Sequence, residues 1–437
     1  MTGPIPFFDR ELETLPRERL RALQWRRLRA LCQEVWAGNV FWRKKWQSCG
    51  LSGPQDLTNW DDFLRLPFTV KEELAQDQLE HPPFGTNLTY PLDRYVRLHQ
   101  TSGTTGEPLR AVQTEEDWQW WGRCWQFVLR GAGVTANDRI FFTFSFGLFI
   151  GFWSGFEGAR QLGALAIPGG GQDSLTRLHT IKTLGATVLV STPSYALHLV
   201  NVARELGLDL RRLSVRTAIH AGEPGAGIPA VRRRIEEAWN AKCYDHAGMT
   251  EVGSHSFECV EQSGLHVNEA EFIAEVLDPE TGKPVRRGEV GELILTNLGN
   301  AGSPMFRYRT GDRVRWSEAP CACGRTFAQF PGGILGRVDD MLIVRGVNVF
   351  PSALEAVIRQ FPMVDEFQIE VYKRGELDEV RLCLEIGESS RDDTVRAVVE
   401  AVRQALGIRV EVVAVPLKSL PRHELKARRL IRRTEVG

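Results

Sequence analysis

Apolar positions along the chain recur in two rhythms, one of about 3.6 residues as in a helix and one of about two as in a strand. Between residues 17 and 47, Leu20, Leu23, Leu28, Leu31 and Val35 recur among many arginines, a helical pattern with one apolar face. The first ninety residues therefore read as helices and loops. From about 94 to 300, β-like runs such as "RYVRLH", "ATVLVST" and "VRTAIHAG" alternate with helical segments such as "GIPAVRRRIEEAWNA". That alternation predicts a mostly parallel sheet covered by helices. The stretch 270–298 differs: its strands are separated by a Pro-Glu-Thr-Gly turn and a Gly-Glu-Val-Gly turn, as in a small β subdomain.

After about residue 340 the rhythm shortens. "PSALEAVIRQF" puts Leu354, Val357, Ile358 and Phe361 on one helical face, and "VRLCLEI" alternates Val380, Leu382, Leu384 and Ile386 with Arg381, Cys383 and Glu385. "VRAVVEAVRQAL" returns to helical spacing, and "VEVVAVP" reads as a closing strand. The predicted fold class is α/β. A large N-terminal domain, 1–335, has mostly parallel sheets covered by helices plus a small β subdomain, and a small α+β C-terminal domain occupies 336–437.

A length of 437 residues fits two or three packed units. Fifty-four Lys and Arg against fifty-five Asp and Glu leave no overall basic field for nucleic acid or anionic lipid, so the expected partners are small molecules. The start carries charges where a secretory signal would have an apolar core, and the most apolar run, 141–156, is broken by small and hydroxyl residues. Eight cysteines in a chain of this length fit a reducing cytoplasm, as free thiols or metal ligands.

Five stretches carry candidate chemistry. "TSGTTGEPL", 101–109, follows a strand-like run and precedes a helical one; its glycines let successive N–H groups converge on an anion while the hydroxyls add donors. It lacks the Lys-Ser/Thr ending of a Walker loop, and the plain alternative is a polar surface turn. "YDHAGMTEVG", 244–253, sets a hydroxyl beside a carboxylate, suited to a phosphate with Mg²⁺, or else caps a helix. In "YRTGDRV", Asp312 follows a Gly turn and either binds two ribose hydroxyls or bonds its own backbone. "GRVDDMLIVRGVNVFPSALE", 336–355, is a hinge-like connector. In "LPRHELKARRLIRR", Lys426 stands near arginines that read as a solvated basic helix end.

Taken in this order, from about residue 60 to 430, these stretches resemble the adenylate-forming (AMP-forming) ligase superfamily and, within it, the phenylacetate-CoA ligase-like family. "TSGTTGEP", "GRVDDMLIVRGVNVFPS" and "PCACGRT" are the specific parts. The resemblance implies activation of an aryl carboxylic acid by ATP with Mg²⁺ to an acyl-AMP, then thioester formation with coenzyme A. It implies that Thr101, Ser102, Gly103, Thr104, Thr105 and Gly106 hold the β and γ phosphates, that Thr250 contacts the α phosphate and that Glu251 binds Mg²⁺. Ala221, Gly222, Glu223 and Pro224 of "AGEPG" would border the adenine and acyl sites, with Tyr244, Asp245 and His246 beside the adenine. Asp312, helped by Arg337, would bind ribose, Asp339 would be the pivot of a mobile C-terminal domain with its hinge near 336–340, and Lys426 would bridge the carboxylate and the α phosphate.

Phe144, Phe146 and Phe149 match the acyl-pocket segment, or else pack the core. The sequence departs from the family pattern at Ala247, where an aromatic often stacks on adenine, at Leu425, the usual glycine before the lysine, and at Phe144 and Phe146, where tyrosine is common. Cys259, His266, Cys321 and Cys323 supply the four soft ligands of a closed structural Zn²⁺ site, or else two buried thiols and a turn. Two other functions stay open: loading the acyl group onto a carrier-protein phosphopantetheine, and nucleotide binding without catalysis. The likeness also raises a homodimer as an assembly.

Overall fold

The computed structural model describes residues 6–101, 108–338, 342–344, 347–374, 377–422 and 429–433. Its centre is an eight-stranded sheet with the order Gln329–Phe330, Leu265–Val267, Gly253–Glu258, Lys242–Met249, Thr217–His220, Val188–Ser191, Arg139–Phe142, Leu165–Pro168. The five strands from Arg139 to Met249 are parallel, and the last three are added antiparallel. Helices Glu115–Gly131, Trp153–Leu162, Ser174–Thr183, Pro193–Glu205 and Pro229–Trp239 alternate with the parallel strands. Val188–Ser191 and Thr217–His220 are buried at every position, as central strands covered on both faces must be.

The predicted alternation holds, with three differences. The helical rhythm over 17–47 is two helices, Arg17–Gly38 and Val40–Ser48, because Asn39 accepts a bond from the Trp42 N–H and starts the second. "RYVRLH" does not join the parallel sheet; Tyr95–Gln100 pairs antiparallel with Arg110–Thr114 as a ribbon. Its Val96 and Leu98 stay exposed, so this strand lacks the second apolar face that a central parallel strand needs. The Gly before Asp312 is not a turn: Gly311, at φ 72°, lies inside strand Tyr308–Arg315, whose register slips against Val290–Asn297.

The predicted β subdomain is an antiparallel sheet of Phe272–Leu277, Val290–Asn297, Tyr308–Arg315 and Gly336–Arg337. A separate sheet follows from residue 342, with Leu342–Val344, Val347–Val349, Val364–Arg374, Leu377–Ile386, Glu411–Val415 and Leu430–Arg433. Helices Pro351–Ile358 and Arg391–Leu406 complete it, and its core runs from Leu342 to Leu430 with no residue of the larger lobe. The basic tail is therefore no helix end: Leu430–Arg433 pairs parallel with Val364–Arg374, drawn in by Leu430 packing on that core. No helix among the described residues is long and apolar enough to cross a membrane.

The amino-terminal segment is fastened by a buried ion pair. Glu13 and Arg325 have no exposed side-chain surface; Glu13 Oε2 accepts from Arg325 Nε at 2.5 Å, and Oε1 accepts from the N–H groups of Phe8 and Asp9. Removing one member strands the other charge, so Glu13→Ala should destabilise the protein by about 3–5 kcal/mol in urea unfolding followed by tryptophan fluorescence. The pair Glu13→Leu with Arg325→Met should recover most of that loss.

Candidate active site

Strand Lys242–Met249 carries Tyr244, Asp245, His246 and Ala247. It is followed by a tight reversal into Gly253–Glu258, so Thr250 and Glu251 sit at the tip of a β-hairpin rather than at a helix start. Thr250 is buried, and the Glu251 carboxylate meets the ammonium of Lys71 at 3.2 Å. Thr101 closes the neck of the Gly-rich stretch: its N–H donates to Leu109 O at 2.9 Å and its Oγ1 accepts from Leu109 N–H at 3.0 Å. Leu109, Thr250, Glu251, Asn300 and Met305 line one cavity, which joins that neck to the hairpin tip. Ser102, Gly103, Thr104, Thr105, Gly106, Asp339 and Lys426 lie outside the described residues.

Asp312 and Arg337 are cross-strand partners, with Nη1 3.4 Å from Oδ1. Both lie near the Tyr308 phenol, whose pKa is raised by burial and then by the Glu251 carboxylate, with Arg337 acting the other way. Tyr308 thus marks the point where the Mg²⁺-type carboxylate and the ribose-type pair approach each other. Lys71 and Tyr308 were missed from the sequence; "PFTVKEEL" and "FRYRTG" offered no signal beyond a helix start and a strand.

Asp245 is only partly exposed, and its Oδ2 lies where a Cβ on Gly227 or Gly333 would come within 3.0 or 3.1 Å. Burial, and next the nearby Glu258 carboxylate, push its pKa to about 7. Glu258 itself is held by Arg232 through two bonds of 2.8 Å and accepts from the Asp245 N–H. The "AGEPG" turn follows strand Thr217–His220; Gly222 has φ 93°, open to glycine, and Glu223 Oε1 accepts from the Ser194 N–H at 2.8 Å. Ala221 packs on the main core, and Pro224 is exposed.

Beside this lies an aromatic wall. Phe144 is buried, with its ring centroid 5.3 Å from Phe146, 6.2 Å from Phe149 and 5.8 Å from Phe152. Phe146 and Phe149 are only half-buried, and Phe146 holds φ 54°, a strained value for a bulky residue, gripped by Trp153 and Phe156. His246 stands edge-on to Trp125 at 4.5 Å, donates from Nδ1–H to Ser256 O at 2.7 Å, and burial lowers its pKa to about 4. The wall therefore presents hydrocarbon and a neutral imidazole.

Cys259, His266, Cys321 and Cys323 converge, with ligand atoms all within 4.8 Å of one another. The Cys259 and Cys321 sulfurs are 3.8 Å apart, and Cys323 Sγ is 3.5 Å from His266 Nε2. Zn–S bonds of about 2.3 Å in a tetrahedron separate sulfurs by about 3.8 Å, so the set fits the ion. His266 Nδ1 faces Phe327 O at 3.3 Å, which directs Nε2 toward the thiols. Cys259 follows the end of a strand that runs antiparallel to Lys242–Met249, and Gln262 Nε2 donates to Cys243 O. The cluster thus lies at the opposite edge of the sheet from the hairpin tip.

The model of the AMP-binding enzyme family matches residues 67–302, and that of the AMP-binding enzyme C-terminal domain matches 346–433. A phenylacetate-coenzyme A ligase of Thermus thermophilus is 34% identical over 440 residues, covering 95% of this chain and 97% of that protein. The chain belongs to the phenylacetate-CoA ligase family. Among solved structures, 2-hydroxyisobutyryl-CoA ligase in its postadenylation state with 2-HIB-AMP is 32% identical, with a TM-score of 0.92 over 98% of this chain and 92% of that one. The same enzyme in its thioesterification state, with 2-HIB-AMP and CoA, gives 0.74 over 98% and 93%. Membership makes this phenylacetate-CoA ligase homologue an AMP-forming acid–CoA ligase of adenylate-forming fold.

In this family member the Asp245 carboxyl holds its proton more tightly when folded than when unfolded. It is harmless below about pH 4, and its ionisation weighs on the fold fully above about pH 7. Asp245→Asn should therefore raise stability at pH 8 by about 4 kcal/mol, a gain that shrinks toward pH 4 when melting is followed across that range.

Proposed function

We propose that this ligase activates an apolar, aryl-type carboxylic acid with ATP and Mg²⁺ and passes the acyl group to coenzyme A. The observation that carries the reading is a cavity lined by Leu109 at the end of the Thr101 neck and by Thr250 and Glu251, with the Asp312–Arg337 pair near Tyr308 and the aromatic wall bridged to the neck through Phe149 and Gln100. In the first step a carboxylate oxygen bonds to the α phosphorus of ATP and the bond to pyrophosphate breaks. In the second the CoA sulfur bonds to the acyl carbon, AMP leaves with the bonding pair, and the thiol proton passes to solvent.

The Thr101–Gly106 stretch would receive the β and γ phosphates and Thr250 the α phosphate. Glu251 would hold Mg²⁺, an ion that takes one or two carboxylates and completes its shell with phosphate and water. Lys71, already drawn to that carboxylate, supports a cation-attracting position there. Asp312 and Arg337 would hold the ribose. Asp245, Tyr244 and the Gly222–Pro224 turn would border adenine, where Ala247 supplies no aromatic surface. Phe144, Phe146, Phe149 and Ala221 would face the acid, and burial of their hydrocarbon favours an acid without a second charge. The seam between the lobes would fall just after Arg337, at Asp339. Superposition on the postadenylation structure, better than on the thioesterification one, supports an adenylation-type arrangement.

Lys426 would stabilise the charge gathering at phosphorus. Its removal should lower pyrophosphate release on the order of 100-fold, as loss of a fixed transition-state charge does elsewhere. The function itself is tested by pyrophosphate release with ATP, Mg²⁺ and phenylacetate, benzoate or 2-hydroxyisobutyrate, with and without coenzyme A. Thioester formation supports the reading. Pyrophosphate without thioester favours a carrier-protein thiol as acceptor, and silence across the panel overturns catalysis.

The Cys259, His266, Cys321 and Cys323 set would hold a structural Zn²⁺. Closed ligation by four protein donors leaves no open position for chemistry. Protein purified without chelator should contain about one zinc per chain by elemental analysis. Cys323→Ser should lose it and melt at lower temperature. Absence of metal, with unchanged melting in the variant, would remove the assignment.

A further inference from the structure

Arg429 bridges the two lobes at the ligand edge of the sheet. Its carbonyl accepts from Ile369 N–H at 2.7 Å, which seats it on strand Val364–Arg374. Its guanidinium grips Glu366 through Nε at 2.8 Å and Nη2 at 3.2 Å, and reaches Glu355 at 3.3 Å. These contacts stay within the small lobe. Nη2 also donates to Ser194 Oγ at 2.8 Å, across to the large lobe. The Ser194 N–H donates in turn to Glu223, in the turn assigned above to the nucleotide.

Two further contacts lie along the same helix, Pro193–Glu205: Asn201 Nδ2 donates to Asp365 at 3.1 Å, and Glu205 pairs with Lys418. Ser194, Asn201 and Glu205 are seven and four residues apart, which places them on one helix face. That face is a polar ledge for the small lobe. Arg429 differs from its companions in being almost buried, with 9% of its side chain exposed, and in being fixed by a forked carboxylate pair before it reaches across.

We propose that Arg429 is a positioning residue for adenylation: it registers the tail segment against Ser194 and Glu223, and so delivers Lys426 to the acid and the α phosphate. Arg429 and Lys426 are three residues apart, a stretch that spans about 10 Å at most. The neutralising glutamates belong to the small lobe, so Arg429 keeps its conformation when the lobes part. The Ser194 hydrogen bond crosses between the lobes, so it is made and lost with the arrangement. The proposal rests on the reading of Lys426 as the adenylation lysine.

The test separates the half-reactions. Adenylation is read as pyrophosphate release from ATP, Mg²⁺ and whichever acid of the panel the wild type turns over fastest. Thioester formation is read from the matching synthetic acyl-adenylate with coenzyme A. Arg429→Gln should lower the first about 100-fold, the size of effect that misplacement of a reacting group produces. Ser194→Ala removes one bond to a charged group and should lower it about tenfold. Ser194→Arg sets a second cation against Arg429 without touching the small-lobe core, and should match Arg429→Gln. In all three, thioester formation should stay within about twofold of wild type, a split that a merely structural role would not produce.

Parallel loss of both half-reactions, or retention of both, overturns the proposal. If Lys426→Ala loses adenylation while Arg429→Gln and Ser194→Arg keep it, the docking role fails and the lysine's role stands. If Lys426→Ala itself keeps adenylation, the reading beneath the proposal fails with it.

Discussion

Strand Lys242–Met249 has a parallel neighbour on one side and an antiparallel one on the other, and this constraint places the chemistry. A parallel partner has to be reached by a long crossover, so the strands before it all end at the same edge. The turn to Phe144, the start of helix Pro193–Glu205 and the "AGEPG" turn therefore emerge side by side. An antiparallel partner needs only a tight reversal, which pins Thr250 and Glu251 at that same edge. Open α/β sheets bind ligands beyond the carboxyl ends of their parallel strands. The same reversal carries the chain back to the far edge, where Cys259 and His266 meet Cys321 and Cys323. The Thr250–Glu251 tip and the Cys–His cluster thus lie at opposite ends of these strands.

Electrostatics at the ligand edge divides along similar lines. Asp245 sits where its charge is disfavoured, and His246 and His255 are kept neutral by burial, with pKa values lowered to about 4 and about 3. By contrast Glu366, equally enclosed, is held at about 2 because Arg429 and Arg359 outweigh its burial. In the first group burial disfavours the charged form of each side chain. The second builds a rigid ionic core in the small lobe. Strain at Phe146 and the unfavourable charge at Asp245 coincide with the candidate pocket, where function rather than stability selects the residue.

Much of this was legible because it is periodic. Val188–Ser191 and Thr217–His220 declare themselves as short β-like runs between helical segments, and Pro351–Ile358 by its helical face. The Cys259, His266, Cys321 and Cys323 group could be named because a Cys-x-Cys pair and a nearby Cys and His offered four soft donors, although their irregular spacing left free thiols as the alternative. What escaped was set by tertiary partners. Leu430–Arg433 reads as a basic helix end until Val364–Arg374 offers it an edge, and Arg429 reads as a solvated charge until Glu355 and Glu366 surround it. The Gly311 irregularity is likewise invisible without the neighbouring strand whose register it shifts. Lys71 is remote from Glu251 in sequence, and only the fold brings a cation to that carboxylate.

The contrast between the lobes' interiors and the contacts joining them has an energetic reason. Each lobe buries its own hydrocarbon, whereas the ledge on helix Pro193–Glu205 meets its partner through Ser194, Asn201 and Glu205. A seam of about 1,000 Å² of apolar surface would favour one arrangement by about 25 kcal/mol, more than substrate binding can overcome. Polar contacts exchanged for water are worth about 1 kcal/mol each, somewhat more where a charge is involved. A ledge of such contacts leaves a gap of a few kcal/mol between arrangements, within reach of the differential affinity of a bound nucleotide or thiol. A seam built of such contacts, with an arginine neutralised by glutamates of its own lobe, holds the lobes together far less tightly than an apolar seam would.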